Sequence, residues 1–326
     1  MASSTLLTVA YIDGTGRVRR AAEDAAEAVD CEALWAFRGG GGLGVATALT
    51  VELIAPQQLW AGYRLWSIDT LDAVTAARAE AMTHVGNALS TTLSVLHTPP
   101  GAPTFPPALR GLPIVHLAYA SPHGPDTATP LLTALHAAPP PALDTSWAPA
   151  TAARLAQIHL DPPNPVPALG LGRWLGPHTP AIATEVLRTA AAADLPLAIV
   201  ELRNLDNTAP ARDGALTAVP GPFLLHAVGT AGDTAARART EAGLTAVCAT
   251  ARPVDIGKSA APFADGRAAD PNGLDHADLQ RLARVNAALD PDGYLSPSRT
   301  LAAIDSPTSR MTLTERFDHP KGDRHD

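Results

Sequence analysis

The chain has 326 residues, 46% of them hydrophobic, which suffices for one large or two ordinary globular domains with a sizeable core. A net charge of −8, with no lysine or arginine cluster to offset it, argues against nucleic acid as a partner, because holding a phosphate backbone needs a basic stripe. No run of about 18 apolar residues free of charge and proline is present, and Met1-Ala-Ser-Ser lacks the basic start of a secretion signal, so no membrane partner and a cytoplasmic location are expected.

Leu6 to Ile12 alternates and ends at Asp13-Gly14-Thr15-Gly16, a hairpin signal, with Arg17 to Arg20 opening the return strand. Cys31 to Phe37 reads as a short helix, followed by Gly39 to Gly42 and Gly44. Val45 to Ile54 then reads as a strand with Val45, Thr47, Leu49, Val51 and Leu53 on one face and Thr50 and Glu52 opposite. Pro56 ends it, and a domain boundary is expected near Ala55 to Gln58. Beyond it, Gln58 to Ile68 predicts a strand, Leu71 to Val85 a helix, and Leu89 to His97 and Leu112 to Ala120 two strands. Pro-rich stretches at Thr98 to Pro107 and Pro139 to Leu143 suit surface loops. Thr151 to His159 and Ala181 to Ala193 read as helices, Leu195 to Arg203 and Phe223 to Val228 as strands, and Thr230 to Ala249 and His276 to Leu289 as helices. Ser306 to Asp326 is polar without an apolar period and is expected to be disordered. This mixture predicts an α+β fold, an antiparallel sheet covered on one side by helices. Cys31 and Cys248 are far apart and unaccompanied, so neither a metal site nor a disulfide is suggested and both are expected as buried small apolar residues.

Familiar catalytic signatures are missing: there is no Gly-x-Ser-x-Gly elbow, Walker loop, paired-His helix or Cys-x-x-Cys. His116 and His226 read as satisfied core or edge residues, and Trp60, Tyr63 and Trp66 fit a substrate pocket and plain sheet packing equally well. The strand ending at Arg203 puts Ile199, Glu201 and Arg203 on one face and Ala198, Val200 and Leu202 on the other. If the apolar face packs on helices, Glu201 and Arg203 point toward a cavity, where Glu201 is a candidate catalytic base provided burial raises its pKa toward operating pH. The competing reading is a plain Glu–Arg pair on a solvated face. In the glycine block the order is helix, glycines, strand, the reverse of a dinucleotide fingerprint. Glycines without Cβ atoms let the backbone take positive φ and approach another backbone or a flat ligand closely, although a flexible linker has the same composition.

Three segments carry a resemblance. Trp35-Ala-Phe-Arg-Gly-Gly-Gly-Gly-Leu-Gly-Val-Ala-Thr47 is similar to the W-A-L-R-G-G-G-G-N-F-G-V-V-T motif of FAD-linked oxidoreductases of the p-cresol methylhydroxylase (PCMH) type, in particular the berberine-bridge-enzyme-like (BBE-like) oxidases. Arg281 to Pro297, with its Asp-Pro-Asp-Gly-Tyr-Leu, resembles the family's terminal helix and following D-P-D-N/G-L-F. Val200-Glu-Leu-Arg-Asn-Leu resembles the V-E-L-R-H-L-G-G strand of the bacterial oxidases. Thr5 to Val18 resembles L-L-S-V-E-V-V-T-A-D-G-R-V, so the chain enters the fold in the middle of the flavin domain, and the family's preceding R-G-G-H segment has no counterpart here.

The resemblance implies a remnant of a PCMH-type FAD-binding domain at 1–57, a substrate domain at 58–250 whose sheet roofs the flavin, a segment at 251–305 returning to the FAD domain, and a tail at 306–326. It implies FAD as cofactor, with Gly39, Gly40, Gly41, Gly42, Gly44 and Val45 close to it, Glu201 as the base, and Arg203 and Asn204 toward a small-molecule substrate. The implied reaction is oxidation of an alcohol, sugar or amine carbon with hydride passing to flavin. Departures from the family pattern are as informative: Leu43 stands where the family has Asn-Phe, Asn204, Asp206 and Asn207 replace His, Gly and Gly, and Pro253 to Ser259 lacks the Asn and aromatics of Y-L-N-F, with Lys258 open to two readings, a side chain facing the flavin's pyrimidine end or, more commonly for such a lysine, one that is simply solvated. A chain lacking half the cofactor cleft is expected to be incompetent alone, with a second chain supplying the other half, or to be a non-catalytic binding subunit descended from the family.

Overall fold

In the computed structural model, residues 2–41, 43–53, 58–162, 164–192, 195, 197–205, 212–265 and 274–295 are described. Gly42, Asp206, Asn207 and the tail expected at 306–326 lie outside the described residues. In chain order the elements are β1 (Leu6–Ile12), β2 (Val18–Ala21), α1 (Ala28–Phe37), β3 (Val45–Val51), β4 (Trp60–Ser67), α2 (Leu71–Val85), β5 (Ser90–His97), β6 (Pro113–Ser121), α3 (Thr129–Ala134), β7 (Leu143–Asp144) and β8 (Ala148–Pro149). They continue with α4 (Ala152–Gln157), β9 (Ala168–Leu175), α5 (Thr179–Ala190), β10 (Leu197–Asn204), β11 (Phe223–Thr230), α6 (Thr234–Ala251), β12 (Asp255–Ser259) and α7 (His276–Leu289). Two units result, one from Met1–Glu52, Ala209–Ala218 and Ala268–Asp326, the other from Leu53–Thr208 and Val219–Arg267. β12, at Asp255–Ser259, pairs with β9 and so belongs to the second unit.

The first unit is built on a three-stranded antiparallel sheet of order β2-β1-β3. Asp13 closes the predicted hairpin: its carboxylate accepts hydrogen bonds from Thr15 N at 2.9 Å, Thr15 Oγ1 at 2.6 Å and Arg17 N at 3.0 Å. Val9 and Tyr11 of β1 pack against Leu34 and Trp35 of α1 and Leu282, Val285 and Leu289 of α7. The helices are cross-linked by Arg281, which donates to Glu32 at 2.7 and 2.8 Å while its guanidinium lies 4.1 Å from the Trp35 ring centroid. Arg38, 2% exposed, donates to Leu6 O at 2.9 Å, Asp213 O at 2.8 Å and Glu23 Oε1 at 2.8 Å, stapling three separate stretches of chain.

β3 buries neither of its faces. All seven of its residues are exposed, with Val45 at 56%, Leu49 at 61% and Val51 at 44%, and Leu53 just beyond it at 84%. Leu49 stands opposite buried Val9 and so points to the same side of the sheet, but the helices that bury Val9 do not reach over it.

The second unit holds a nine-stranded sheet of order β12-β9-β11-β10-β5-β6-β4-β7, with β8 also pairing β4, and each pairing in it is antiparallel. Two side-chain rows, Leu117-Leu93-Leu202-Leu225 and Val115-Val95-Val200-Ala227, run across β6, β5, β10 and β11 into a core made with α2, α5 and α6. Each helix buries one stripe: Leu71, Val74, Arg78, Ala81 and Val85 in α2, Ala183, Val186, Leu187 and Ala190 in α5, and Thr240, Gly243, Leu244, Val247 and Ala251 in α6, whose N-terminus is capped by Asp233 accepting from Ala236 N at 2.7 Å. This is the α+β arrangement predicted, an antiparallel sheet covered by helices on one face. Cys31 and Cys248 are half-buried and unbridged, more exposed than expected. Among the described residues no helix is long and apolar enough to cross a membrane.

Candidate functional site

The face of the large sheet turned away from α2, α5 and α6 carries the chemistry. Because Val200 and Leu202 are committed to the helix side, the pleat forces Glu201 and Arg203 to the other. Register then assembles one row across neighbouring strands, His116 on β6, Ser94 on β5, Glu201 on β10 and His226 on β11. Glu201 is 1% exposed, and its Oε2 accepts from Arg203 Nε at 3.0 Å, Arg203 Nη2 at 2.5 Å and His226 Nδ1 at 3.2 Å. Farther along, Ser94 Oγ lies 3.3 Å from His116 Nδ1, and His116 Nε2 donates to Ile158 O at 2.8 Å.

Burial alone would push the Glu201 carboxyl up, but the hydrogen bond from His226 and the charge and hydrogen bonds of Arg203 outweigh it, leaving a pKa of about 2. Glu201 is therefore an ionised anchor. It fixes the Arg203 guanidinium, which also lies 5.4 Å from the Phe263 ring centroid, and holds the His226 ring with its proton on Nδ1. In a neutral ring that leaves the lone pair on Nε2, which is buried without a hydrogen-bond partner and lies 3.8 Å from Asp265 Oδ2. Burial drives His116 down to about 4, so it is a neutral ring, and burial followed by the nearby Arg203 charge lowers His159 as well. The Phe263 ring lies tilted at 58° against His226 with ring centroids 4.8 Å apart, and the approach depends on Gly172, opposite His226 on β9, where a Cβ would come within 2.7 Å of Phe263.

Two sequence expectations are corrected here. A general base needs a pKa near operating pH, and the condition set above, that burial raise the Glu201 carboxyl, is not met, because His226 and Arg203 lower it. Asn204 does not accompany Arg203 toward a substrate: it is one residue along the strand and hence on the helix side, where its Oδ1 accepts from Thr91 N at 2.5 Å and Thr91 Oγ1 at 2.7 Å and its Nδ2 donates to Leu89 O at 3.2 Å. Trp66 is buried in the helix-side core with Nε1 donating to Pro139 O at 2.9 Å, whereas Tyr63, on the other face, meets His116 at 5.7 Å between ring centroids. His116 is the satisfied core histidine expected; His226 is the functional candidate that sequence reasoning missed, since its partner is decided by strand register.

The architecture has counterparts among solved structures. No protein-family model and no curated protein matches the sequence. Physcomitrella patens BBE-like 1 superposes with a TM-score of 0.69 at 12% identity, over 90% of this chain and 64% of that one. 6-Hydroxy-D-nicotine oxidase from Arthrobacter nicotinovorans gives 0.66 at 17% identity, over 90% and 65%, and xylooligosaccharide oxidase from Myceliophthora thermophila, solved with xylobiose, 0.64 at 13%, over 91% and 66%. The chain has the BBE/PCMH-like fold. At these identities the likeness is one of fold, and the chain spans about 64% of the length of the BBE-like structure it matches.

Within the BBE-like fold the glycine block belongs to the first unit and the Glu201 row to the second. Whether it suits a flat cofactor is tested by the space where each Cβ would go. A Cβ on Gly39, at φ +106°, would meet Leu216 at 2.5 Å, one on Gly40 would meet Ala36 O at 2.8 Å, and one on Gly44 would meet Ile12 O at 2.5 Å. Gly41, at φ +63°, opens on free space. Three of these glycines thus serve close packing of the chain on itself, and the described residues do not by themselves form a cradle for FAD.

Proposed function

We propose that this chain is the substrate-domain-bearing portion of a cytoplasmic FAD-dependent oxidoreductase that oxidises an alcohol, sugar or amine carbon, and that it is incompetent without further polypeptide to complete the cofactor site. The observation that carries this reading is the Glu201–Arg203–His226 cluster, built round buried Glu201 on the sheet face turned away from α2, α5 and α6, in a fold shared with FAD-dependent oxidases and dehydrogenases. Arg203, pinned by Glu201, keeps guanidinium donors for a substrate oxygen, and His226 Nε2 is the group suited to take the proton from a substrate hydroxyl or amine. Gly41 and Val45 are the points of the glycine block where a flavin has room to approach.

A second reading, a non-catalytic binding subunit descended from such an enzyme, is favoured by the filled Cβ spaces at Gly39, Gly40 and Gly44. Titrating the full chain with FAD while following flavin fluorescence, then adding xylobiose, glucose or 6-hydroxy-D-nicotine with a dye acceptor, separates the two. Flavin uptake by the chain without dye reduction, together with sugar or amine binding weakened in His226→Gln, supports the incomplete enzyme, and substrate-dependent dye reduction by the chain alone would overturn its incompetence. Saturable sugar or amine binding with no flavin uptake supports the binding subunit, and neither kind of binding overturns both.

A further inference from the structure

The group proposed as the base is out of reach in this structure. His226 Nε2 is buried and has no hydrogen-bond partner among the described residues. It is covered by residues 261–265, just after β12, which lay the Phe263 ring against the imidazole at 4.8 Å between centroids and bring Asp265 Oδ2 to 3.8 Å from Nε2. The segment crosses β9 at two alternate glycines: a Cβ on Gly172 would come within 2.7 Å of Phe263, and one on Gly170 within 2.9 Å of Asp265 Oδ2. Bare backbone at both positions lets the segment seat directly on the sheet. Its two ends are held differently. At the near end Ala260 is 1% exposed, its N–H donates to Gly172 O at 2.9 Å, and Trp174 Nε1 donates to Ser259 O at 3.1 Å. At the far end Gly170 N donates to Asp265 O at 2.8 Å, and none of residues 261–265 is fully buried.

The contact between Asp265 and His226 depends on a proton. In a neutral ring the hydrogen sits on Nδ1, where Glu201 accepts it, so Nε2 turns a lone pair toward a carboxylate oxygen and goes unpaired, which disfavours the seated segment. In a protonated ring Nε2–H faces the same oxygen, and an approach by about 1 Å completes a charge-assisted hydrogen bond. The charged groups facing the ring are Glu201 and Arg203 on β10 and Asp265 on the covering segment, while β9 offers Gly170 and Gly172 there. Glu201 titrates at about 2, His116 farther along the row at about 4, and burial lowers His159, near Arg203, as well. We infer that residues 261–265 form a proton-operated gate over His226, which Asp265 latches shut when the ring is protonated and the neutral ring releases. The gate deepens the proposed function and rests on its reading of Nε2 as the proton acceptor: a ring uncovered only when neutral meets substrate only in the state able to take a proton.

Amide exchange followed residue by residue by NMR on the full chain, corrected for the intrinsic rate at each pH, tests the gate with neither flavin nor substrate present. The Gly170 amide, whose acceptor lies on the segment itself, is the reporter, and the amides of Val200 and Leu225 within the sheet are the references. Protection of Gly170 is expected to fall by about tenfold between pH 5 and pH 8, in step with the titration of the His226 ring, while the references hold. Asp265→Ala, at a side chain 48% exposed, should leave the fold intact and Gly170 weakly protected at both pH values. Asp265→Asn, whose amide can donate to a neutral Nε2 and accept from a protonated one, should keep Gly170 protected at both. Constant protection of Gly170 in the wild type, a fall that persists unchanged in Asp265→Ala, or a fall shared equally by Val200 and Leu225 would each overturn the gate. Flavin takes no part in this readout, so failure of the gate leaves the oxidoreductase reading standing, and failure of flavin uptake alone leaves the gate standing.

Discussion

Glu201→Gln is the most revealing single change in this protein. In the folded chain the carboxyl titrates at about 2, against 4.5 for a free glutamate, although it is buried. A folded pKa below the unfolded one means that the ionised carboxylate stabilises the native state, a contribution fully present above about pH 4.5 and lost as pH falls toward 2. At 1.36 kcal/mol per pH unit the shift corresponds to about 3 kcal/mol, which for a unit of this size lowers Tm by roughly 6 to 12 °C. The amide keeps the shape and surrenders the charge that holds Arg203 and His226. Thermal and urea unfolding of wild type and variant, followed by circular dichroism across the acid range, should show a stability gap of about that size at neutral pH that closes as pH approaches 2. Parallel curves with a constant gap, or no gap at all, would refute the assignment of Glu201 as a buried ionised anchor.

His116 titrates at about 4 by virtue of burial, so stability is expected to fall as pH drops from about 6.5 toward 4, a window above that of Glu201; His116→Phe should remove that slope, and an NMR titration placing the ring near 6.5 would contradict it. Gly39→Ala should destabilise the first unit by about 3 kcal/mol through the Leu216 collision and positive φ, while Gly41→Asn should cost less than about 1 kcal/mol; equal melting shifts would undo this distinction. Arg38→Met leaves Leu6 O and Asp213 O without their buried donor and should cost about 2 to 4 kcal/mol in urea unfolding, with a change under about 0.5 kcal/mol counting against the staple.

Elements with clear periodicity were legible from residues alone. α2 and α7 run over the predicted spans because their apolar residues recur at helical spacing between polar flanks, and β4, β5, β6 and β11 agree to within two residues through alternation. β9 was not legible: Gly170 and Gly172 erase its alternation, and the reason for Gly172, the crossing of Phe263 above it, lies ninety-one residues away. The side of Glu201 and Arg203 followed from parity with Leu202, and the same parity, applied one residue further, puts Asn204 on the helix side. Pairing Glu201 with His226 depends on register between strands, which the hydrophobic pattern of a single chain does not specify beyond the choice of face. The exposure of β3 was likewise out of reach, because its alternation reads the same whether or not a partner covers it.

The Arg38 staple has a consequence for synthesis. It joins Leu6, Glu23 and Asp213, and α1 also leans on Arg281, 249 residues after Glu32, so during synthesis the β1–β2 hairpin waits for α7 before its core can close. Until α7 has been made, Val9, Tyr11 and Trp35 lack the apolar partners Leu282, Val285 and Leu289 that complete their core, and a chain ended before α7 would leave them short of that cover.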